Sequence, residues 1–217
     1  MTIRVARKKP DSYQHGDLHE ALIQAGLKLL SEQGLAGLSL RAAAQLAGVS
    51  HAAPYRHFPD KHRLVAAIAE RGFRLLTASM REELAACSSD DGLERLLALG
   101  VGYVRFATRH PDYLRVIFGG VLRGGNALPE LQAAGQEAYA VLRDVVAVGL
   151  DRGELRGSDS ELVSLTCWSL VHGLATLLSS GAVPPPPSAP AQRELVLSAL
   201  RLLGRGIAGG APAQGAR

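Results

Sequence analysis

Cysteine is scarce in this 217-residue chain, with only Cys87 and Cys167, far apart in sequence. No CxxC pair exists, which argues against a zinc ribbon or a dithiol redox site and fits two reduced thiols in a cytoplasmic protein. Strand-like alternation is scarce too, which argues against a sheet-based fold. Motifs of the common enzyme classes are missing: no Gly-x-Ser-x-Gly elbow, no Walker lysine loop and no His-Glu-x-x-His. The glycine-rich GGVLRGGN lies between helical segments with no strand before it, so it is no dinucleotide fingerprint. The basic N-terminus, MTIRVARKKPDSYQHGD, carries no apolar core of signal-peptide length. Charge is absent from Leu162 to Val183, but Ser164, Thr166, Ser169, His172, Ser179 and Ser180 make that stretch too polar for a membrane span. A helix buried against protein, a second subunit included, is the expectation. His15 precedes the Asp17 cap, His57 and His62 straddle a turn, and no cysteine stands beside either pair, so no metal and no cofactor is expected.

What is present is uneven. Hydrophobic residues make up 47% and charged residues 20%, an ordinary globular composition. The net charge of +4 divides sharply: residues 1–75 hold 11 Lys+Arg against 6 Asp+Glu, the remainder 13 against 14. Five of the seven histidines also lie in the first part. A basic head that meets a polyanion, joined to a near-neutral body, is the reading this asymmetry supports.

The apolar period is helical throughout. Asp17 with Glu20 makes a capping-box-like start for a helix bearing Leu18, Leu22, Ala25 and Leu29, stopped by Gly34. Ser39 caps a short helix ended by Gly48, Ser50 caps another to about Phe58, and Asp60 caps a long one to about Ala85. Further helices follow around Leu93–Arg109, Asp112–Leu122, Pro129–Arg152, from Ser158 or Asp159 to about Gly181, and Leu195–Ile207. The fold class is all-α, about nine helices: three short ones in the basic head and longer ones in the body. The expected domains are a basic arm at 1–16, the basic head at 17–63, the body at 64–208 and a disordered tail at 209–217.

The segment GVSHAAPYRHFPDK is the densest in unusual residues. Gly48 permits a left-handed turn, Val49 plugs the angle between two helices, and Ala43, Ala44 and Ala47 are small enough for close approach. This is a helix-turn-helix pattern, whose second helix enters a major groove. Pro54 falls at the fourth position of that helix and removes at most one backbone bond.

The stretch LSLRAAAQLAGVSHAAPYRHFPDKHRLVAAIAERGF, with the preceding LHEALIQAGLKLLSEQGLAGL, resembles the DNA-binding domain of TetR-family transcriptional regulators. By position, that resemblance implies that Arg41 and Ser50 meet phosphate or the groove edge. It likewise implies that His51, Ala52 and Ala53 face bases, and that Tyr55, His57 and Lys61 anchor phosphates. Arg56 joins this set without a fixed role, and Phe58 reads as core. The resemblance further implies a body that binds a small molecule and a homodimer on a palindromic operator, with no membrane partner. The segment WSLVHGL resembles the Trp-x-x-x-His-Gly signature of one TetR subgroup.

Ligand-lining candidates in the body are Tyr103, Phe106, His110, Tyr113, Phe118 and Trp168. Dimer candidates are Trp168, His172, Leu195 and Leu202. Arg105, Arg109, Arg115 and Arg123 are read as solvated. The expected function is a ligand-responsive repressor. A DNA-binding organiser whose body only dimerises is the alternative, with a cofactor-independent enzyme behind it. An empty, polar-lined cavity in the body would favour the sensor, a solid core the organiser.

Overall fold

The structure is a computed structural model that describes residues 15–120 and 128–207. Nearly all of the basic arm, Arg123 and the expected tail lie outside the described residues. Among the described residues there are eight α-helices, one 3-10 turn and no strand. The chain divides between Ile68 and Ala69 into two compact units, a little beyond the expected boundary at residue 63. The reason is packing: Leu64 and Ile68 are both 0% exposed. They lie so close to Gly26 that a Cβ there would come 2.8 Å from Ile68 Cδ1.

The first unit contains α1 (His15–Gly37), α2 (Leu40–Leu46), the 3-10 turn Ala53–Arg56, and α3 (Lys61–Ala86) as far as Ile68. Helix α1 starts two residues before the expected Asp17 cap. It bends at Gly34, where φ is 68°, and continues for a last turn to Gly37. Leu22, Ala25 and Leu29 are buried, as their spacing predicts.

The second unit holds the rest of α3 with α4 (Gly92–Arg109), α5 (Pro111–Phe118), α6 (Pro129–Asp151), α7 (Ser160–Ser179) and α8 (Ala189–Ile207). The helix starts follow side-chain chemistry. Asp91 Oδ1 accepts the Glu94 N–H at 3.0 Å, and Asp159 Oδ1 accepts those of Glu161 and Leu162 at 2.9 and 3.2 Å. Helix α8 begins six residues before the expected Leu195. Ser188 Oγ accepts the Ala191 N–H at 3.3 Å, and Pro190 is tolerated in the first turn, where its missing N–H has no helical partner.

Helix α4 is the centre of this unit and packs against α5, α6, α7 and α8. Every residue from Leu97 to Val104 is buried, so no polar face remains in that stretch. Gly102 is required by the approach of α3: a Cβ there would stand 2.6 Å from the Ser79 carbonyl oxygen and 2.7 Å from Met80 Cα. Helix α7 is long and apolar enough, by length and composition, to cross a bilayer; in the structure it packs against α4, α6 and α8.

Candidate functional site

Two regions concentrate the sequence-predicted residues. In the first unit, Ser39 Oγ caps α2 by accepting the Ala42 N–H at 3.0 Å. The helix then closes on Gly48, whose φ is 71°, and the Val49 N–H turns back to the Ala44 carbonyl at 3.0 Å. Ala43 and Ala44 are 0% exposed, so the turn sits directly on the core.

The next segment departs from the expectation of an α-helix from Ser50 to Phe58. It is a pair of turns around the 3-10 element Ala53–Arg56, and the N-cap position is Ala52 rather than Ser50. Pro54 is the physical cause. It has no N–H to offer the Ser50 carbonyl, so that carbonyl is met by the Ala53 N–H at 3.0 Å in the tighter i−3 pattern. Proline also disfavours the α conformation in the residue before it. The loss is partly repaired at the other end, where the His57 and Phe58 N–H groups both reach the Pro54 carbonyl, at 2.9 and 2.8 Å.

Pro54 and Phe58 point inward and are buried, which fixes the outward face by subtraction. That face carries Ser50, His51, Ala52, Tyr55 and Arg56, all exposed, with Ala53 half-buried beside them. Arg41 is exposed on α2. His57 is half-buried, and its ring packs against His19 and Phe58, with centroids 5.9 and 6.5 Å away. Lys61 is half-buried as well, and its ammonium donates to the Leu35 carbonyl at the end of α1. Lysine has three donors, so two remain for a phosphate. Hydroxyl, imidazole, phenol and guanidinium groups among small side chains suit phosphate oxygens and base edges.

In the second unit a cavity of about 510 Å³ opens among α3, α4, α5, α6, α7 and α8. Such a volume is in the range of small-molecule sites. Its walls are mainly apolar, not polar as a sensor was expected to be. Leu93, Leu96, Leu97, Leu99 and Gly100 come from α4, Gly135, Ala138, Tyr139 and Leu142 from α6, and Val163, Cys167, Trp168 and Val171 from α7. Of the expected lining residues, Tyr103, Phe118 and Trp168 reach the cavity. Phe106, His110 and Tyr113 are not in its wall. Phe106 is 1% exposed core, His110 is the C-cap residue of α4, and Tyr113 packs where α5 meets Gly72.

Phe73, Met80, Tyr139 and Cys167 line the cavity without having been singled out. The spacing of Gly135, Ala138, Tyr139 and Leu142 along one helical stripe was the available signal. Burial pushes the Cys167 thiol above its ordinary value, so it is neutral.

Beside the cavity lies a polar chain. The Trp168 Nε1–H donates to the Tyr103 hydroxyl at 3.4 Å, and that hydroxyl lies 2.9 Å from His172 Nδ1. Phe118 packs edge-on to the His172 ring at 4.7 Å. Burial pushes the Tyr103 phenol up to about 12 and holds the His172 imidazole below its usual range, so both are neutral near pH 7. Trp168 and His172, expected at a dimer interface, are therefore turned into the unit, whereas Leu195 and Leu202 are 40% and 74% exposed. Among the described residues no cluster of His, Cys, Asp and Glu is arranged to hold a metal.

The family model described as bacterial regulatory proteins, tetR family, matches residues 22–68, and that described as the tetracyclin repressor-like C-terminal domain matches residues 96–200. A protein of unknown function from a Rhodococcus species is similar over nearly its whole length: 32% identity, 92% of this chain, 100% of that chain, TM-score 0.77. The transcriptional regulator FadR from Bacillus subtilis, solved in complex with stearoyl-CoA, shares the fold at 16% identity, over 87% of this chain and 99% of that one, with TM-score 0.70. The nucleoid occlusion factor SlmA of Marinobacter nauticus is 28% identical over 137 residues, 63% of this chain and 68% of that protein. The chain belongs to the TetR family: it is a helix-turn-helix DNA-binding transcriptional regulator, a class whose members generally act as repressors.

Proposed function

We propose that this regulator is a homodimeric, ligand-responsive repressor that binds a palindromic operator and leaves it when an effector fills the body. The exposed face of Ser50, His51, Ala52, Tyr55 and Arg56, with Arg41 and Lys61 at its margins, would meet the DNA. Basic groups on phosphates would supply most of the affinity and a steep salt dependence.

The dimer reading rests on one side of α7 and α8. Leu162, Leu165 and Leu177 are 60%, 48% and 48% exposed, and Thr166, Ser169, Gly173 and Thr176 share their uncharged stripe. With Leu195 and Leu202 on α8, this is an apolar surface that a second copy would cover under two-fold symmetry.

The cavity is the observation that carries the sensor reading. A body serving only to dimerise needs no void of about 510 Å³ at its centre. An effector shifts the regulator off DNA only as far as it binds the released state better. Helix α3, with residues in both units, is the element through which that preference would pass. The fold-mate that holds stearoyl-CoA supports a ligand in such a body. A DNA-binding organiser is the second reading, favoured by the similarity to a nucleoid occlusion factor.

A reporter under the protein's operator separates the two. Exposed to a panel of uncharged aromatic compounds, the wild type should be derepressed by at least one. Gly135→Trp, whose indole occupies the cavity, should keep repressing throughout. A wild-type reporter unmoved by the whole panel would favour the organiser.

A further inference from the structure

The polar groups around the cavity are not equal. Glu154, at its edge, accepts the Gly92 N–H at 2.8 Å, and the Tyr139 hydroxyl donates to Glu161 at 2.9 Å. Both already have a structural task. Tyr103 is different because its oxygen is 2.9 Å from a group that can reverse its role. A neutral imidazole carries one proton, on either nitrogen, and a phenol has one proton and two lone pairs.

When the Tyr103 O–H donates to Nδ1, the oxygen keeps a lone pair beyond the long 3.4 Å contact from Trp168. When Nδ1 carries the proton and donates, the phenol proton is released toward the cavity. Either way no buried polar group is left without a partner, as holds for all buried side-chain nitrogen and oxygen atoms among the described residues. Tyr103 is 4% exposed and lies on the cavity wall, so such a bond would form away from water. The cavity interior has no comparable answer to a charge. Its charged lining residues, Glu154 and Arg156, are exposed on the loop between α6 and α7. Apart from these and Cys167 the remaining walls are aliphatic and aromatic, Phe73, Met80, Phe118 and Trp168 among them, and a buried ion without a partner is strongly disfavoured.

We propose that the effector is an uncharged, largely apolar, ring-sized molecule bearing one hydroxyl or carbonyl, and that Tyr103 selects it, held in place by Trp168 and His172. The proposal rests on the reading of the body as an effector-binding unit. Tyr103 gives or takes the hydrogen bond, and His172 is a positioning residue that sets which.

Calorimetry on the full-length protein with four probes of one shape tests it: naphthalene, 2-naphthol, 2-acetonaphthone and 2-naphthoate. The hydroxyl and carbonyl probes should bind roughly five- to tenfold tighter than naphthalene, and 2-naphthoate weakest. Tyr103→Phe should bind naphthalene as the wild type does and lose the preference. His172→Phe leaves the phenol proton without its acceptor, so the preference should move from 2-naphthol toward 2-acetonaphthone. Equal affinities in the wild type, or a preference that survives Tyr103→Phe, would overturn the role of Tyr103 while leaving the cavity a binding site. An unchanged ranking in His172→Phe would overturn the role of the histidine. If none of the four probes binds, the effector reading fails and this proposal fails with it.

Discussion

The two units dispose of their polar side chains in opposite ways. In the head, Arg41, His51, Tyr55 and Arg56 stand exposed around a turn whose apolar members, Pro54 and Phe58, are buried. In the body, Arg105 is spent on its own fold. It donates to Glu83 at 2.8 Å, to Glu82 at 2.6 Å, and to both the carbonyl and the hydroxyl of Ser79 at 3.0 and 3.1 Å. The other Glu83 oxygen takes Arg193 of α8, so one buried carboxylate joins α3, α4 and α8. Arg115 pairs with Asp112 on its own helix. Exposure also reverses sign: the body shows leucines outward on α7 and α8, where the head shows donors. Similar side chains thus stay exposed in one unit and hold the fold together in the other, and burial with partners, not residue type, tells them apart.

The sharpest way to break this contrast is Leu202→Glu combined with Leu165→Glu. A charge on each exposed apolar stripe should convert the proposed dimer to monomer in sedimentation and remove binding to the proposed palindrome, while the helical signal is kept. A double variant that stays dimeric would move the interface elsewhere.

Glu83→Ala comes next. Breaking a buried ion pair leaves charge without its partner, and the cost should be about 3 kcal/mol of stability in chemical denaturation. Arg105 keeps Glu82 and Ser79, which holds the loss from being larger. A cost near zero would mean the hub is a surface pair and the contrast false.

His51→Ala should behave oppositely. Stability should be unchanged, and discrimination at one operator position should fall by roughly 1–3 kcal/mol. Lys61→Ala is the intermediate case. It should lower the salt slope of binding by about one, and it should also cost stability, because the same ammonium ties α3 to the Leu35 carbonyl.

The smallest effect is on pH. Burial holds His172 and His110 below the ordinary 6.5, with the neighbouring Arg109 charge adding to the effect on His110. Below pH 6.5 the unfolded chain takes up protons that the folded chain refuses, so the stability present above that value is lost as pH falls through the folded values. The melting temperature should fall from pH 7 to pH 5, and by less in His172→Gln.

Much of the fold is legible from local chemistry. Ser39 and Asp60 cap where they are expected to, the latter accepting the Arg63 N–H at 2.8 Å, because a cap is a contract between residues three apart. Asp159 does the same for α7. The 3-10 turn was less legible, since one proline changed the helix type while leaving its exposed residues in order. The cavity was legible only in part: it depends on which stripes of six helices converge, a tertiary fact. Trp168 and His172, one turn apart, face in, and Gly173 beside them faces out with open space at its Cβ position. The motif's spacing carries both directions, but not which one meets a ligand and which a second subunit.

The most direct test of the central claim is selection from a random duplex pool with the full-length protein at two salt concentrations. A palindrome with half-sites about one helical turn apart or more, recovered less efficiently at the higher salt, is the predicted result. Salt-sensitive recovery of DNA with no preferred sequence would contradict it, and the exposed face of the head would then be a non-specific anchor.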